Sequence, residues 1–180
     1  MKSIIYQPIG IIHSPFAEPQ GTPIQPAAAQ GVEGRVEIFP QFVEGINDLD
    51  GFSHVILLYH FHRVKETKLT VKPFMDNEFH GVFATRAPSR PNPIGLSIVR
   101  LVGVDGRTLL IQDVDILDGT PLLDIKPYVR EFDIREIESQ GWLEKNVNQL
   151  PDMKDDGRFV PTSPATVSRI NRSTKPASAG

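Results

Sequence analysis

The chain has 180 residues, 39% of them hydrophobic, and a formal net charge of −3; this suits one domain with a real core and argues against intrinsic disorder. It contains no cysteine, which excludes disulfides, thiolate zinc sites and cysteine nucleophiles. No apolar run approaches the length of a membrane span and residues 1–8 lack a signal-peptide core, so the expectation is a cytoplasmic protein with no membrane partner.

Strand signals dominate the first 130 residues. Residues 4–12 form the first predicted strand, ending at His13-Ser14-Pro15, and a long Pro/Gly/Ala/Gln loop follows over residues 15–30. Residues 34–39 alternate apolar and polar, as a half-buried strand does. Residues 53–61 are the next strand, with His54, Ile56, Leu58, His60 and His62 on one face and Val55, Leu57, Tyr59 and Phe61 on the other. Residues 87–93 hold three prolines in seven, and a loop so stiffened inside a compact domain is usually functional. Residues 94–104 and 108–117 flank Asp105-Gly106, a hairpin signal because two-residue turns need positive φ. Residues 122–129 add a further strand. Helical spacing appears only over residues 133–150, where Gly141 predicts a break. Residues 152–180 turn polar and read as flexible.

Adjacent hairpins without βαβ alternation, together with 16 prolines, predict a mainly all-β fold: an antiparallel sheet or barrel and not a Rossmann fold. The barrel domain is expected over residues 1–138. Residues 139–180 are expected to carry a short helical segment and a flexible, partly basic tail. Residues 1–138 hold 13 basic and 18 acidic side chains, whereas residues 139–180 hold 6 and 4. Arg169, Arg172 and Lys175 in the tail can serve a phosphate backbone or stand as an ordinary solvated terminus.

Three constellations can carry chemistry. Arg86 and Arg90 lie on the proline-stiffened loop with Asn92. Arginine forks suit carboxylate or phosphate, and a rigid loop loses little entropy on binding. Gly95 marks a close approach of backbone and ligand. Asp118-Gly119-Thr120-Pro121 is either a plain tight turn or a strand-end carboxylate that accepts hydrogen bonds. Beyond it, Asp124, Lys126 and Tyr128 share one strand face. His54, His60 and His62, with His80 downstream, are open to zinc binding, but acidic ligands are not interleaved at the needed spacing and no metal is expected. Dinucleotide, P-loop and hydrolase-elbow signatures are absent.

The segment Thr85 to Gly95, with Asp118-Gly119-Thr120-Pro121 and Asp124-Ile125-Lys126-Pro127-Tyr128 behind it, resembles the TrmO (TsaA-like) family. Ile9-Gly10-Ile11-Ile12-His13-Ser14-Pro15, Gln25-Pro26 and Gly51-Phe52-Ser53-His54 match in the same order, so the resemblance covers about residues 4–130. It implies a single-sheeted antiparallel β-barrel that binds S-adenosyl-L-methionine without a Rossmann fold and works as a homodimer. It further implies methylation of N6 of threonylcarbamoyladenosine beside the tRNA anticodon. The methyl-donor positions it carries over are Gln25, Pro26, Ala27, His62, Arg63, Arg90, Asp118, Gly119, Thr120 and Pro121. Chemistry then suggests Arg86, Asn92, Lys126 and Tyr128 for the RNA substrate, and Asp118 or a water to take the N6 proton. Rival readings are a non-catalytic S-adenosyl-L-methionine- or RNA-binding module and a histidine-metal hydrolase.

Overall fold

The computed structural model describes residues 3–159. Six strands close into one antiparallel barrel: β1 (Gly10–His13), β2 (Glu33–Ile38), β3 (His54–His60), β6 (Ile94–Asp105), β7 (Thr108–Gln112) and β8 (Thr120–Pro127). Their order around the barrel is β1-β2-β7-β6-β3-β8, and β8 closes onto β1. Two short strands outside it, β4 (Thr70–Val71) and β5 (His80–Gly81), pair antiparallel within the 61–93 connection.

Period-two patterning builds the core. Val55, Leu57 and Tyr59 of β3 point inward beside Val99 and Leu101 of β6, Leu109 and Ile111 of β7, and Ile12, Val36, Ile38 and Leu122. Each fully buried aliphatic side chain contributes on the order of 1.5–3 kcal/mol. Closure leaves no unpaired strand edge in the barrel. A second cluster, Val71, Val82 and Ala87 with Phe159 against it, backs the 61–93 loop.

Several elements differ from expectation in their bounds. The first strand begins only at Gly10, because Ile4, Ile5 and Tyr6 are exposed and find no sheet. The β6–β7 turn is Gly106-Arg107, one residue later than predicted, and only Gly106 is at positive φ (+57°). The strand expected over 108–117 stops at Gln112; Asp113 enters the left-handed region (φ 67°) and its Oδ1 accepts the Gly31 N–H at 2.7 Å. This releases residues 113–119 as a loop at the end of the barrel.

Over the expected helical stretch 133–150 no α-helix forms beyond the end of the short α1 (Arg130–Asp133); two 3₁₀ segments, Gly141–Lys145 and Val147–Asp152, stand in its place, and Gly141 opens the first of them. Residues 152–159 are anchored, contrary to the flexible reading. The Asp155 N–H donates to the Thr22 carbonyl at 2.8 Å, and the Gly21 N–H donates to the Asp155 carbonyl at 2.7 Å. Arg158 Nη1 donates to the Pro73 carbonyl at 2.9 Å, and its guanidinium lies over the Phe74 ring. The remainder of that segment, with Arg169, Arg172 and Lys175, lies outside the described residues.

Candidate functional site

A cleft of about 890 Å³ opens at one end of the barrel, within the range of small-molecule and cofactor sites. Its floor is the end of β3 and the start of β6, with Tyr59, Phe61, Gly95 and Leu96. One side is the 113–119 loop with Asp115, Ile116 and Leu117. The others come from the long 14–32 loop (Ile24, Gln25), the stiff 85–93 loop (Arg86, Arg90, Asn92) and the C-terminal segment (Trp142, Leu143, Leu150).

The structure brings most of the sequence-derived candidates together here. Gln25, His62, Arg63, Arg86, Arg90, Asn92 and Thr120 all line the cleft. Arg86 Nη1 donates to Gln25 Oε1 at 2.7 Å and so joins the two loops. Arg90 Nη1 donates to the Thr85 and Ala87 carbonyls at 3.1 and 3.2 Å, which pins the stiff loop to itself. Thr120 Oγ1 donates to the Leu117 carbonyl and lies 3.3 Å from His62 Nδ1. Burial first, then the neighbouring Arg63 and His60, holds His62 below its ordinary value, so it is a neutral hydrogen-bonding group at pH 7. Arg63 pairs with Glu18 at 3.0 Å. Pro26 and Ala27 line a smaller recess beside the cleft, shared with Gln25, Arg86 and Ser97.

Other candidates fall elsewhere. Asp118 is not a lining residue; its Oδ1 accepts from His13 Nδ1 at 3.1 Å and from the Ser14 N–H at 3.2 Å. Partial burial pushes its carboxyl up, but the hydrogen bonds from Ser14 and His13 outweigh that and hold it below the usual range. Gly119 takes positive φ (+74°) at the turn and gives its N–H to the Ile12 carbonyl, while Pro121 pairs with Ile11 in the sheet. Lys126 pairs with Asp124 at 2.8 Å and Tyr128 meets His54 edge-on, and neither lines the cleft. Gly95 makes room for an aromatic ring of the protein itself: a Cβ there would collide with Tyr59 and come within 2.9 Å of Phe61. Among the described residues no group of three or more His, Asp or Glu is placed to hold a metal ion.

Sequence reasoning missed a polar chain in the floor. Tyr59 OH and Ser97 Oγ are 3.0 Å apart, and Ser97 Oγ donates to Asp115 Oδ1 at 2.6 Å. Ser97 has one proton and spends it on the carboxylate, so Tyr59 is the donor to Ser97. Burial of Asp115 pushes its carboxyl up to about 7, against the lowering effects of Ser97, its own backbone N–H and Arg86. Burial, then the nearby Asp115, likewise pushes the Tyr59 phenol up, so it stays protonated. The signal available in the sequence was an acidic residue set between two apolar ones, Val114 and Ile116, both of which are buried. Also missed was the aromatic side wall, where Trp142 stacks on His80 at 4.6 Å and donates Nε1–H to the Ala84 carbonyl at 2.8 Å.

Residues 11–134 match the family described as the tRNA-methyltransferase O N-terminal domain. A probable S-adenosyl-L-methionine-binding protein of Pyrococcus abyssi is 65% identical over 156 residues, 87% of this chain and 85% of the relative. A human protein named tRNA (adenine(37)-N6)-methyltransferase is 36% identical over 138 residues, 73% of this chain but only 31% of its own length. The crystal structure of TrmO from Pseudomonas aeruginosa superposes with a TM-score of 0.66 at 40% identity, covering 78% of this chain and 63% of that one. This chain thus spans less than two thirds of the solved TrmO chain. The chain belongs to the tRNA-methyltransferase O family, represented by its N-terminal domain.

Proposed function

We propose that the cleft binds S-adenosyl-L-methionine and a tRNA adenosine, and that the protein methylates N6 of threonylcarbamoyladenosine beside the anticodon. The carrying observation is the convergence of Gln25, His62, Arg63, Arg90 and Thr120 on one cleft that also holds the half-buried carboxylate of Asp115. The names of the archaeal and human relatives, an S-adenosyl-L-methionine-binding protein and an adenine(37)-N6 methyltransferase, support donor and acceptor respectively. The walls fit such a donor. Ile24, Phe61, Met75 and Leu117 offer apolar surface for an adenosyl group, and the loop arginines and Gln25 offer donors and an acceptor for an amino-acid end. When bound, S-adenosyl-L-methionine supplies an electrophilic methyl group on a sulfonium.

Displacement at such a carbon needs alignment more than acid or base strength. The protein supplies it by stiffening: Arg90 ties down its own loop, Arg86 bridges to Gln25, and the prolines remove freedom before anything binds. Arg86 and Asn92 are placed to hold a carboxylate on the modified base. Phe83 lines the cleft and is 75% exposed, which suits stacking of an unpaired anticodon-loop base. Lys126 and Tyr128 reach RNA only if it extends over the barrel's outer face. A homodimer is supported by an apolar band on that face, where Ile56 sits opposite Ile98 and Leu58 opposite Leu96 beside partly exposed Ile94. Light scattering of the purified protein, read as one or two chains, tests it. A cytoplasmic setting follows from a tRNA substrate, and no helix among the described residues is long and apolar enough to cross a membrane.

Two measurements decide the reading. Mass spectrometry of tRNA nucleosides from cells lacking this protein should show loss of the N6-methylated form and accumulation of its unmethylated precursor. Transfer of a radiolabelled methyl group to that tRNA by purified protein should proceed in the presence of a chelator. Donor binding without transfer to any tRNA would favour the binding module that the archaeal relative's name describes.

The tail bears on RNA and not on the donor. Residues 1–138 carry a net charge of −5, so a polyanion must be met by a local basic patch or by outside help. Deleting residues 160–180, which removes Arg169, Arg172 and Lys175, should leave donor affinity unchanged and raise the Michaelis constant for tRNA. The penalty should shrink as salt rises. Unchanged tRNA affinity at low salt would make the segment a solvated terminus only.

A further inference from the structure

We propose that Asp115, and not Asp118, is the proton acceptor of the methyl transfer, with Ser97 and Tyr59 as its positioning residues; this rests on the methyltransferase reading above. The geometry separates the two acids. Asp115 lines the cleft floor between Gly95–Leu96 and Ile116–Leu117, whereas Asp118 turns away to His13 and Ser14. Ser97 donates to Asp115 Oδ1, and no other side chain hydrogen-bonds the carboxylate among the described residues. Asp115 is half-buried and lines the cleft, so its carboxylate has open space on the cleft side.

The chemistry asks for such a group. The attacked N6 is urea-like and bears one hydrogen. As the N6–CH₃ bond forms from the nitrogen pair, the S–CH₃ pair stays on sulfur. The N6–H pair returns to nitrogen and the proton passes to Asp115 Oδ2. The products are a neutral N6-methylated urea, a neutral thioether and a protonated carboxyl that later releases its proton to water. Without an acceptor the nitrogen would have to carry a positive charge in competition with its adjacent carbonyl.

Electrostatics agree with the assignment. Asp115 is pushed up to about 7, so near neutral pH it is both partly ionised and a far stronger base than an ordinary carboxylate. Asp118 is held below the usual range and is correspondingly weak. Of the cleft's other titratable bases, His62 is also held low, and Asp155, which burial raises, sits on the C-terminal segment with its Oδ1 taken by the Gly157 N–H. The charged and titratable groups that face Asp115 are Arg86 from the 85–93 loop, which favours the ionised form, and the protonated Tyr59 from β3. The chain Tyr59 to Ser97 to Asp115 fixes the carboxyl rotamer, so the acceptor is oriented before substrate arrives.

The test compares wild type, Asp115→Asn and Ser97→Ala in the full chain, with radiolabelled methyl transfer to tRNA across pH and calorimetry of S-adenosyl-L-methionine binding. Wild-type kcat should rise with pH through about 7, the value to which burial moves Asp115. Asp115→Asn should lower kcat by about a hundredfold or more and remove that rise, since positioned bases contribute roughly 10²–10⁴-fold. Its donor affinity should stay near wild type. Ser97→Ala removes a hydrogen bond that favours the ionised form, so its pH midpoint should move upward, and it carries the test if the Asn variant does not fold. An independent readout needs no donor: carbon NMR of the aspartate carboxyls should show one resonance titrating near neutrality that Asp115→Asn deletes. Wild-type kcat and pH profile in Asp115→Asn, an unmoved midpoint in a folded Ser97→Ala, or titration of Asp115 in the ordinary carboxylate range would each overturn the assignment. No transfer by wild type at any pH would instead sink the methyltransferase reading.

Discussion

Gly95→Ala should cripple the site while leaving every polar candidate in place. A Cβ at residue 95 would collide with the Tyr59 ring and press on Phe61. Tyr59 cannot swing clear, because it is 5% exposed, packs edge-on to Phe61 at 5.4 Å and holds Ser97 through its hydroxyl. The added methyl therefore has to be absorbed by the floor itself, and overpacking of this kind costs about 1–3 kcal/mol. For a chain of this size that is a fall in Tm of roughly 3–10 °C. The catalytic loss should be larger than the stability loss, since displacement of the Tyr59–Ser97–Asp115 chain by an ångström can cost about a hundredfold in rate. Differential scanning calorimetry and methyl-transfer assays on the same preparation read both. An unchanged Tm with unchanged transfer would show that the floor yields, and that the glycine is not needed to seat the ring.

The barrel was legible because closed antiparallel sheets are written in period two. The alternation of β3 puts Val55, Leu57 and Tyr59 on one face and His54, Ile56, Leu58 and His60 on the other, and the first three are buried. Strand ends were less legible, for reasons that lie outside any one segment. Residues 4–8 have strand composition but lie outside the sheet, and only at Ile9 do backbone hydrogen bonds to Leu122 and Phe39 begin. Residues 113–117 have it too, but Asp113 takes a left-handed conformation stabilised by a contact 82 positions away, from the Gly31 N–H. The order of strands, with β8 between β3 and β1, is likewise a long-range outcome that no local signal encodes.

The site was legible where residue type and backbone constraint coincide. Arg86, Arg90 and Asn92 stand out in sequence because prolines surround them, and all three reach the cleft. The turn motif points to Asp118, whereas an acid that lines the cleft, Asp115, lies three positions earlier. Asp118 announces itself in a turn motif, yet its geometry serves the turn, with His13 and Ser14 as partners. Asp115 is one of three aspartates between residues 113 and 118 and reads as no more special than its neighbours, and only the fold brings its loop against Ser97 and, through it, Tyr59. The C-terminal wall was hidden for a different reason. Residues 141–159 have weak periodicity because they adopt 3₁₀ turns and extended chain, and they are held by backbone hydrogen bonds to Thr22 and Gly21 that composition does not reveal.

Arg90→Ala and Arg86→Ala should part company in binding experiments although the two arginines are four residues apart on one loop. Arg90 is half-buried, lines the cleft and spends Nη1 on the Thr85 and Ala87 carbonyls. Its removal takes away a cation of the proposed donor site and also leaves two loop carbonyls without their partner, and truncating a hydrogen-bonded charge that a bound donor would desolvate costs about 2–5 kcal/mol. The Kd for S-adenosyl-L-methionine should therefore rise by roughly thirtyfold or more. Arg86 is exposed, and its bond to Gln25 competes with water, so it is worth about 0.5–1.5 kcal/mol to the donor site. Its larger effect should fall on the RNA side, where a guanidinium at the cleft rim can hold a carboxylate or phosphate bidentately. Arg86→Lys should recover little of it, because the point charge of lysine does not reproduce the fork. Calorimetry with the methyl donor, followed by kcat/KM for tRNA, separates the two roles. Equal donor affinity for Arg90→Ala and wild type would remove Arg90 from the donor site and leave it as a brace of its own loop.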